Sequence, residues 1–117
     1  MTNEELQTLI KNACKAAGIE YSHAGGYRVI GIGETGMKVM EKFNPADDDG
    51  DSRVLQVACK IDLFFNHDMH KNGHEVVTAF HDGERGHSHS EPLGTHPLQA
   101  ARMAVLRCAG MIGEAME

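Results

Sequence analysis

Residues 43–65 read FNPADDDGDSRVLQVACKIDLFF, and this stretch divides the chain into two halves. The Asn-Pro pair ends the preceding strand, because proline donates no backbone N–H and disfavours helical geometry in the residue before it. The aspartates that follow are typical of a helix start, where carboxylates cap free N–H groups and meet the positive end of the helix dipole. The apolar spacing then predicts a helix over about residues 50–60 and a buried strand at 63–65.

The first half is predicted to hold one helix and three strands. Thr2-x-x-Glu5 resembles a capping box, and Gly18 is a good helix-terminating residue, so we expect a helix over residues 3–17. Strands are expected at 19–23, 27–32 and 37–43, with glycine-rich turns between them. Met40 interrupts the alternation of the third strand.

The second half is predicted to add further strands and a closing helix. A polar connection at 67–73 precedes a strand at 74–80, and a weak, polar strand at 87–90 fits the edge of a sheet best. Thr95 is the expected cap of the last helix, with Pro97 in its first turn. Small residues at 109, 110 and 113 would let that helix pack closely against a neighbour.

This order of elements predicts an α+β fold in a single domain of residues 1–117. The expected arrangement is α-βββ-α-βββ-α, in which a mainly antiparallel sheet of five to six strands is layered with three helices as a sandwich. A chain of 117 residues can bury one hydrophobic core.

Composition restricts the classes of partner and compartment. The chain has 11 basic and 17 acidic residues and a net charge of −6. A nucleic-acid partner is therefore not expected, because such binding needs basic residues to neutralise phosphates. The acidic start MTNEELQTLI is unlike a signal peptide, and no run of 18 apolar residues occurs, so we expect a cytoplasmic protein without a membrane partner. Three widely spaced cysteines fit a reducing compartment.

Two stretches resemble a known family. FNPADDDGDSRVLQVACKIDLFF is similar to the Asn-Pro, acidic, amphipathic-helix signature of the phage ABA-sandwich domain family, which is related to the NinX-type phage proteins, and HPLQAARMAVLRCAGMIGEAM is similar to its closing helix. The family often has tryptophan immediately before the Asn-Pro pair, where this chain has Phe43. The resemblance implies a phage or prophage origin, hence the cytoplasm of a bacterial host, and a sheet layered with helices. It implies no reaction.

The histidines suggest a metal site. His67-x-x-His70-x-x-x-His74 could supply three imidazoles to a zinc ion, with water as the fourth ligand. The spacing matches no established signature, however, and His-Glu-x-x-His is absent. Solvated histidines in a polar connection are the alternative, and we expect no resident cofactor.

Other basic side chains are candidates for contact with a ligand or partner: Arg28, Arg53, Arg85, His87, His89 and His96. Arginines and the start of the last helix could bind an anion such as a signalling nucleotide. No catalytic residue is assigned.

Three further motifs have structural explanations. Gly31-x-Gly33-x-x-Gly36 matches a dinucleotide-binding fingerprint in spacing, but the Asn-Pro stop follows too soon for the required helix, which favours a hairpin turn. The aspartates after Pro45 lack the spacing of a calcium-binding loop. The cysteines lie on apolar helix faces, which favours core packing over nucleophilic chemistry.

These observations predict a small phage- or prophage-encoded accessory protein that is non-enzymatic and binds a host protein or a host-derived small molecule. Counter-defence roles of this kind include an anti-CRISPR-like inhibitor and a nucleotide sponge. A homodimer formed by strand pairing or helix packing is also expected. The alternative is a metal-binding module or metal-dependent hydrolase that uses the histidine-bearing segments.

Overall fold

The protein folds as an α+β domain with three helices, which confirms the predicted class. The structure is a computed structural model that describes residues 1–22, 26–71, 74–81 and 87–116, with the backbone alone for residues 66–71 and 74. Its elements in chain order are α1 (Asn3–Ala17), β1 (Tyr27–Ile32), β2 (Lys38–Lys42), α2 (Asp49–Ala58), β3 (Ile61–Lys71), β4 (His74–His81), β5 (His87–Pro92) and α3 (Pro97–Ala115). No helix in these ranges is long and apolar enough to cross a membrane.

The five described strands form two antiparallel sheets, so the prediction of one sheet with five to six strands is wrong. One sheet is the β1–β2 hairpin, and the other has the order β3-β4-β5. The strand predicted at 19–23 is reduced, in its described part, to an isolated bridge between Tyr21 and Arg28. Residue 23 itself lies outside the described residues. Alternating apolar residues indicate a strand but not its neighbour, because pairing is decided by tertiary contacts.

The polar connection predicted at 67–73 is also incorrect as far as the structure describes it. The backbone of β3 continues to Lys71, which pairs with His74 at the start of β4 across a register shift. A strand can continue through polar residues because its ladder is made by backbone groups. Residues 72–73 lie outside the described residues.

The edge position predicted for the polar strand is confirmed, since β5 pairs with β4 alone in the described sheet. The predicted burial of residues 63–65 is wrong in part. Phe64 and Phe65 are about half exposed, at 55% and 51%, whereas Leu63 is partly buried against the core. An apolar run predicts a strand but does not distinguish one covered face from two.

The aspartates after Pro45 cap α2, as expected. The N–H of Asp51 donates to Asp48 Oδ1 at 2.9 Å, and Asp51 Oδ2 accepts from the N–H of Asn44 at 2.8 Å. Two carboxylates thus connect the end of the first half to the start of α2. This arrangement fixes the direction in which the chain leaves Pro45.

The predicted caps of the other two helices are confirmed at α1 and wrong at α3. Thr2 accepts from the N–H of Glu5, and Gly18 ends α1 in the left-handed conformation, so both predictions are confirmed. At α3, by contrast, His96 is the cap residue and makes no side-chain hydrogen bond, so the assignment of Thr95 as cap is wrong. Pro97 at the first helical position has a preset φ and needs no N–H partner there, which favours a helix start without a side-chain cap.

The core forms around α3, which packs against α1, α2 and all three strands of the larger sheet. Buried residues of α3 meet Ile10 and Cys14 of α1, Leu55 of α2 and Val77 of β4 in one cluster. Gly110 and Gly113 lie against α1. A Cβ atom at residue 113 would lie 2.6 Å from the carbonyl carbon of Asn12 and would overlap its oxygen. The close packing expected from the small residues is therefore confirmed, with α1 as the neighbour.

We predict that Gly113→Ala will destabilise the protein by about 3 kcal/mol or more, because the new methyl group meets backbone that cannot rotate away. Gly110→Ala should cost less, since the obstructing atom there is the end of the Leu9 side chain. Urea unfolding monitored by circular dichroism measures both changes. Gly31→Ala is the matched control, because no atom lies within 4 Å of the added carbon. Equal losses at positions 113 and 31 would contradict the packing described.

Asp48→Ala is predicted to cost about 1 kcal/mol, because it leaves the N–H of Asp51 without its capping acceptor. Asp48→Asn should restore most of the loss, because the amide oxygen can accept the same hydrogen bond. Glu34→Ala, which removes a carboxylate from an exposed turn, should leave stability nearly unchanged and controls for net charge. The measurement is again the free energy of unfolding in urea. A loss at Asp48→Asn as large as at Asp48→Ala would indicate that charge, and not the cap, stabilises α2.

Candidate binding surface

The β1–β2 hairpin, called the arm below, carries the largest group of exposed apolar side chains in the described residues. Six of its side chains are between 42% and 74% exposed, namely Tyr27, Ile30, Ile32, Met37, Val39 and Met40. No other described helix or strand packs against the arm. Single exposed apolar residues are normal on a protein surface, but six on one hairpin make the arm a candidate interaction surface.

The arm is attached to the rest of the domain at its base. The N–H of Val29 donates to the carbonyl of Glu20 at 2.9 Å, and the N–H of Ser22 donates to the carbonyl of Tyr27 at 2.9 Å. Tyr21 Oη donates to Gln7 Oε1 of α1 at 2.6 Å and accepts from the N–H of Gly26 at 2.6 Å. The base is thereby fixed to α1, and the Lys38 side chain, nearer the far end, reaches back to pair with Glu20.

Phe43 is the second attachment of the arm. It follows β2 directly and is fully buried in the core. Arg28 of β1 lies over its ring, with the guanidinium carbon 5.1 Å from the ring centre, and also pairs with Glu41 on β2. A cation over an aromatic face is attractive at this distance. Arg28 therefore stabilises the base of the arm.

The far end of the arm is a tight turn at residues 33–36. The N–H of Gly33 donates to Met37 O at 2.8 Å, and the N–H of Gly36 donates to Gly33 O at 3.0 Å. Gly36 has a φ of +80°, which favours glycine. The glycine motif is thus the turn of a hairpin, as the short distance to the Asn-Pro pair predicts.

The molecule is more extended than is usual for its length. Its principal extents are 54 × 32 × 22 Å. A domain of about 120 residues normally has a radius of gyration near 13 Å, whereas this chain has 14.8 Å. An extended shape is expected when two strands project beyond the core.

A second exposed apolar surface lies on the three-stranded sheet. Val77 and Ala79 of β4 alternate onto the face that joins the core, and the other face, called the outer face below, carries Phe64 and Phe80 together with Asp62 and the buried Val76. These two rings are diagonal neighbours across β3 and β4, because Phe64 pairs with Thr78 and Phe80 with Asp62. They are 55% and 36% exposed. Thr78 and Ser90 extend this face towards β5 through a 2.7 Å hydrogen bond.

The candidate contact residues predicted from sequence are dispersed over the fold. Arg28 lies at the base of the arm, whereas Arg53 lies in α2 and lines an open cleft with Lys60 and Asp62. His96 caps α3 and lines a different cleft with Arg102. Arg85 lies outside the described residues. The described members of the set therefore do not form a common site.

His87 and His89 lie together on β5, and His89 belongs to a charged cluster. His89 Nε2 is 2.8 Å from Glu91 Oε1, and Arg107 Nε of α3 lies 3.0 Å from the same oxygen. The Arg107 contact is electrostatic, because its N–H is not aligned for a hydrogen bond. His87 accepts a weak bond from the Cys108 thiol through its carbonyl oxygen. These contacts join β5 to α3.

The predicted metal ligands occupy neighbouring strands. His67 and His70 lie in the backbone of β3, and His74 begins β4. The structure describes the backbone of these three histidines and not their side chains, so the predicted zinc site stays a hypothesis. Among the side chains that the structure does describe, no three His, Cys, Asp or Glu residues are placed to hold a metal ion.

The three cysteines are free and buried, as their positions on apolar helix faces predict. Burial raises the pKa of Cys14 to about 12 and the pKa values of Cys59 and Cys108 to about 11. A nucleophilic thiol needs the opposite shift, because the thiolate is the reactive form. The thiols therefore contribute packing.

We predict that stability falls as the pH rises above 9, because unfolded thiols ionise near their ordinary pKa of 9.0 while the buried thiols stay protonated up to about 11 or 12. The stabilisation is fully present below pH 9 and is lost as the pH rises through the folded values. At about pH 10 the loss is on the order of 1.4 kcal/mol per thiol. Urea unfolding across this range measures it.

Cys14→Ala controls for other groups that titrate in the same range. The cavity should lower its stability by a constant amount below pH 9, and above pH 9 the difference should shrink because the variant's slope is shallower than that of the unaltered chain. An unchanged slope would contradict the assignment to the thiols.

Comparison with protein-family models, with curated proteins and with solved structures finds no match to this chain. The binding surface is therefore defined by geometry alone. The sequence did contain one signal for the arm. Val39 and Met40 are adjacent, so they face opposite sides of β2, and an apolar residue on each side is unusual for a strand with only one buried face.

Proposed function

We propose that this chain is a small phage or prophage accessory protein that acts by binding a host protein, with the arm as its contact surface. The observation that carries the proposal is the group of six exposed apolar side chains on a hairpin that no other described element covers. The phage origin rests on the resemblance of residues 43–65 and of the closing helix to the ABA-sandwich family. A counter-defence role is the biological context that we propose for such binding.

The arm favours a protein partner over a small anion. Its exposed side chains are apolar and are spread over both faces of a narrow ribbon, whereas small-molecule sites are concave. Two of its three cations are also paired with acids, Arg28 with Glu41 and Lys38 with Glu20, which leaves Lys42 alone. A nucleotide would need free cations that converge on its phosphates. The metal-dependent alternative depends on side chains outside the described ones and stays a hypothesis.

Capture of partners from lysate of the bacterial host tests this function. The unaltered chain should retain at least one host protein, and Ile32→Glu combined with Met37→Glu should reduce its recovery at least tenfold, because both charges fall on highly exposed positions of the arm. Leu98→Glu is the matched control. Leu98 is highly exposed too, at 63%, but it lies in the first turn of α3, where a carboxylate is tolerated.

Circular dichroism and urea unfolding should show that all variants keep the fold. If the arm variant retains the same proteins as the control, the arm is not the contact surface and the proposal fails. The proposal also fails if the unaltered chain retains no host protein.

A further inference from the structure

A cleft between α2 and the start of β3 contains lysine and arginine side chains that the fold does not use. Its volume is about 530 Å³, and its lining consists of Arg53, Gln56, Val57, Lys60, Ile61 and Asp62. In the part of the chain whose side chains are described, the lysines and arginines without a side-chain hydrogen bond or ion pair are Lys11, Lys42, Arg53 and Lys60. Arg53 and Lys60 share this cleft, so two unpaired positive charges lie in one concave site.

The backbone of Lys60 indicates independently that its side chain has a use. Its φ is +55°, and among the described residues it is otherwise glycine that adopts a positive φ. This conformation is strained in a residue with a Cβ atom, and the position after the helix cap is the one where glycine is usual. No described side-chain hydrogen bond or ion pair offsets the strain. A strained residue without a structural contact points to a role in binding.

The backbone of Ile61 adds a hydrogen-bond donor to the cleft. The N–H of Leu93 donates to Glu75 O at 2.8 Å, so alternate residues of β4 starting at Glu75 direct their backbone groups towards β5. Phe80 is one of the residues between them and therefore bonds to its β3 partner, Asp62. Ile61 precedes Asp62, so its N–H and C=O point away from β4, towards the edge of the described sheet. A ligand in the cleft can accept a hydrogen bond from this N–H.

The charges of the cleft define the ligand that complements them. Arg53 and Lys60 carry two positive charges, and Asp62 of the outer face carries one negative charge that no described ion pair neutralises. The Gln56 amide can both donate and accept, and Val57, at 63% exposure, offers apolar contact. The complement is a small molecule with two negative charges, one positive charge and a short apolar chain. The volume lies within the usual range of small-molecule sites, about 300–1,000 Å³.

We propose that the α2–β3 cleft binds an acidic α-amino acid. Its two carboxylates pair with Arg53 and Lys60, and one of them also accepts from the Ile61 N–H. Its ammonium group pairs with Asp62, and its methylene groups contact Val57. The C-terminal end of α2 favours the ammonium group, because the helix dipole places partial negative charge there. Inorganic phosphate is a poorer fit, because it offers Asp62 no positive charge. This inference does not rest on the proposed function.

Titration of the purified chain with L-glutamate and L-aspartate, followed by nuclear magnetic resonance, tests the proposal. Saturable binding should shift the backbone amide signal of Ile61 and the side-chain N–H signals of Arg53 and Gln56. Glutarate, which lacks the ammonium group, and L-glutamine, which lacks the second carboxylate, should each bind roughly tenfold more weakly. Absence of saturable binding of both acidic amino acids would overturn the proposal, and so would glutarate that binds as tightly as L-glutamate.

Variants of the cleft assign the role of each charge. Arg53→Gln should weaken L-glutamate binding roughly tenfold, because it removes the partner of one carboxylate. Asp62→Asn should also weaken L-glutamate binding but should tighten glutarate binding, because glutarate only experiences the repulsion of the Asp62 carboxylate. Lys11→Gln is the matched control, since Lys11 is equally unpaired but lies on α1, outside the cleft. An Arg53→Gln variant with the affinity of this control would contradict the proposed site.

Two substitutions of Lys60 separate binding from stability. Lys60→Gln and Lys60→Gly should weaken L-glutamate binding to a similar degree. Lys60→Gly should also raise the melting temperature by about 2 °C, because glycine adopts the positive φ without strain. If Lys60 serves only to stabilise the end of α2, Lys60→Gln will instead lower the melting temperature and leave the affinity unchanged, which overturns its role in binding. Host-protein capture by the arm is a separate result, because no residue of the arm lines the cleft.

Discussion

The close approach of α1 and α3 at Gly113 is the constraint on which the rest of the fold depends. A side chain at this position would occupy the space of the Asn12 carbonyl, so the distance between the two helices is set by the absence of a single methyl group. Because α3 also packs on α2 and on the larger sheet, the distance between α1 and α3 also sets the position of α1 relative to those elements. Cys108 and Ala109 sit beside the contact and fill the core at the same depth.

The aspartates after Pro45 supply a second constraint, at the start of α2. Asp48 and Asp51 orient α2, and Arg102 of α3 donates to the carbonyl of Ala46 at 3.0 Å and pairs with Asp49. The start of α2 is thus held by α3 as well as by its own caps. No residue of the arm belongs to the core cluster, and the arm is attached at its base and through the Lys38–Glu20 pair.

Much of the fold could be predicted from sequence because its signals are local. Thr2, Gly18 and the aspartates act within one helical turn of their own position, and the helix bounds follow from them. Strand partners are not local. The alternation of apolar residues predicted strands at β1 and β2. That these two strands pair only with each other depends on where α1 and Phe43 place the base of the hairpin, and no short segment of sequence encodes that placement.

The candidate surface was harder to predict for a related reason. Sequence analysis selects residues by their chemistry, and therefore favoured arginines and histidines that the fold disperses or uses in internal contacts, such as Arg28 with Glu41 and His89 with Glu91. Residue type alone does not distinguish an exposed isoleucine from a buried one. Ile32 is exposed and Ile10 is buried because of what the fold places around them. The tendency of such side chains to leave water is undiminished by exposure. A chain that projects six of them on a hairpin therefore keeps apolar surface in contact with water, and in the proposed function this is the surface that a partner would cover.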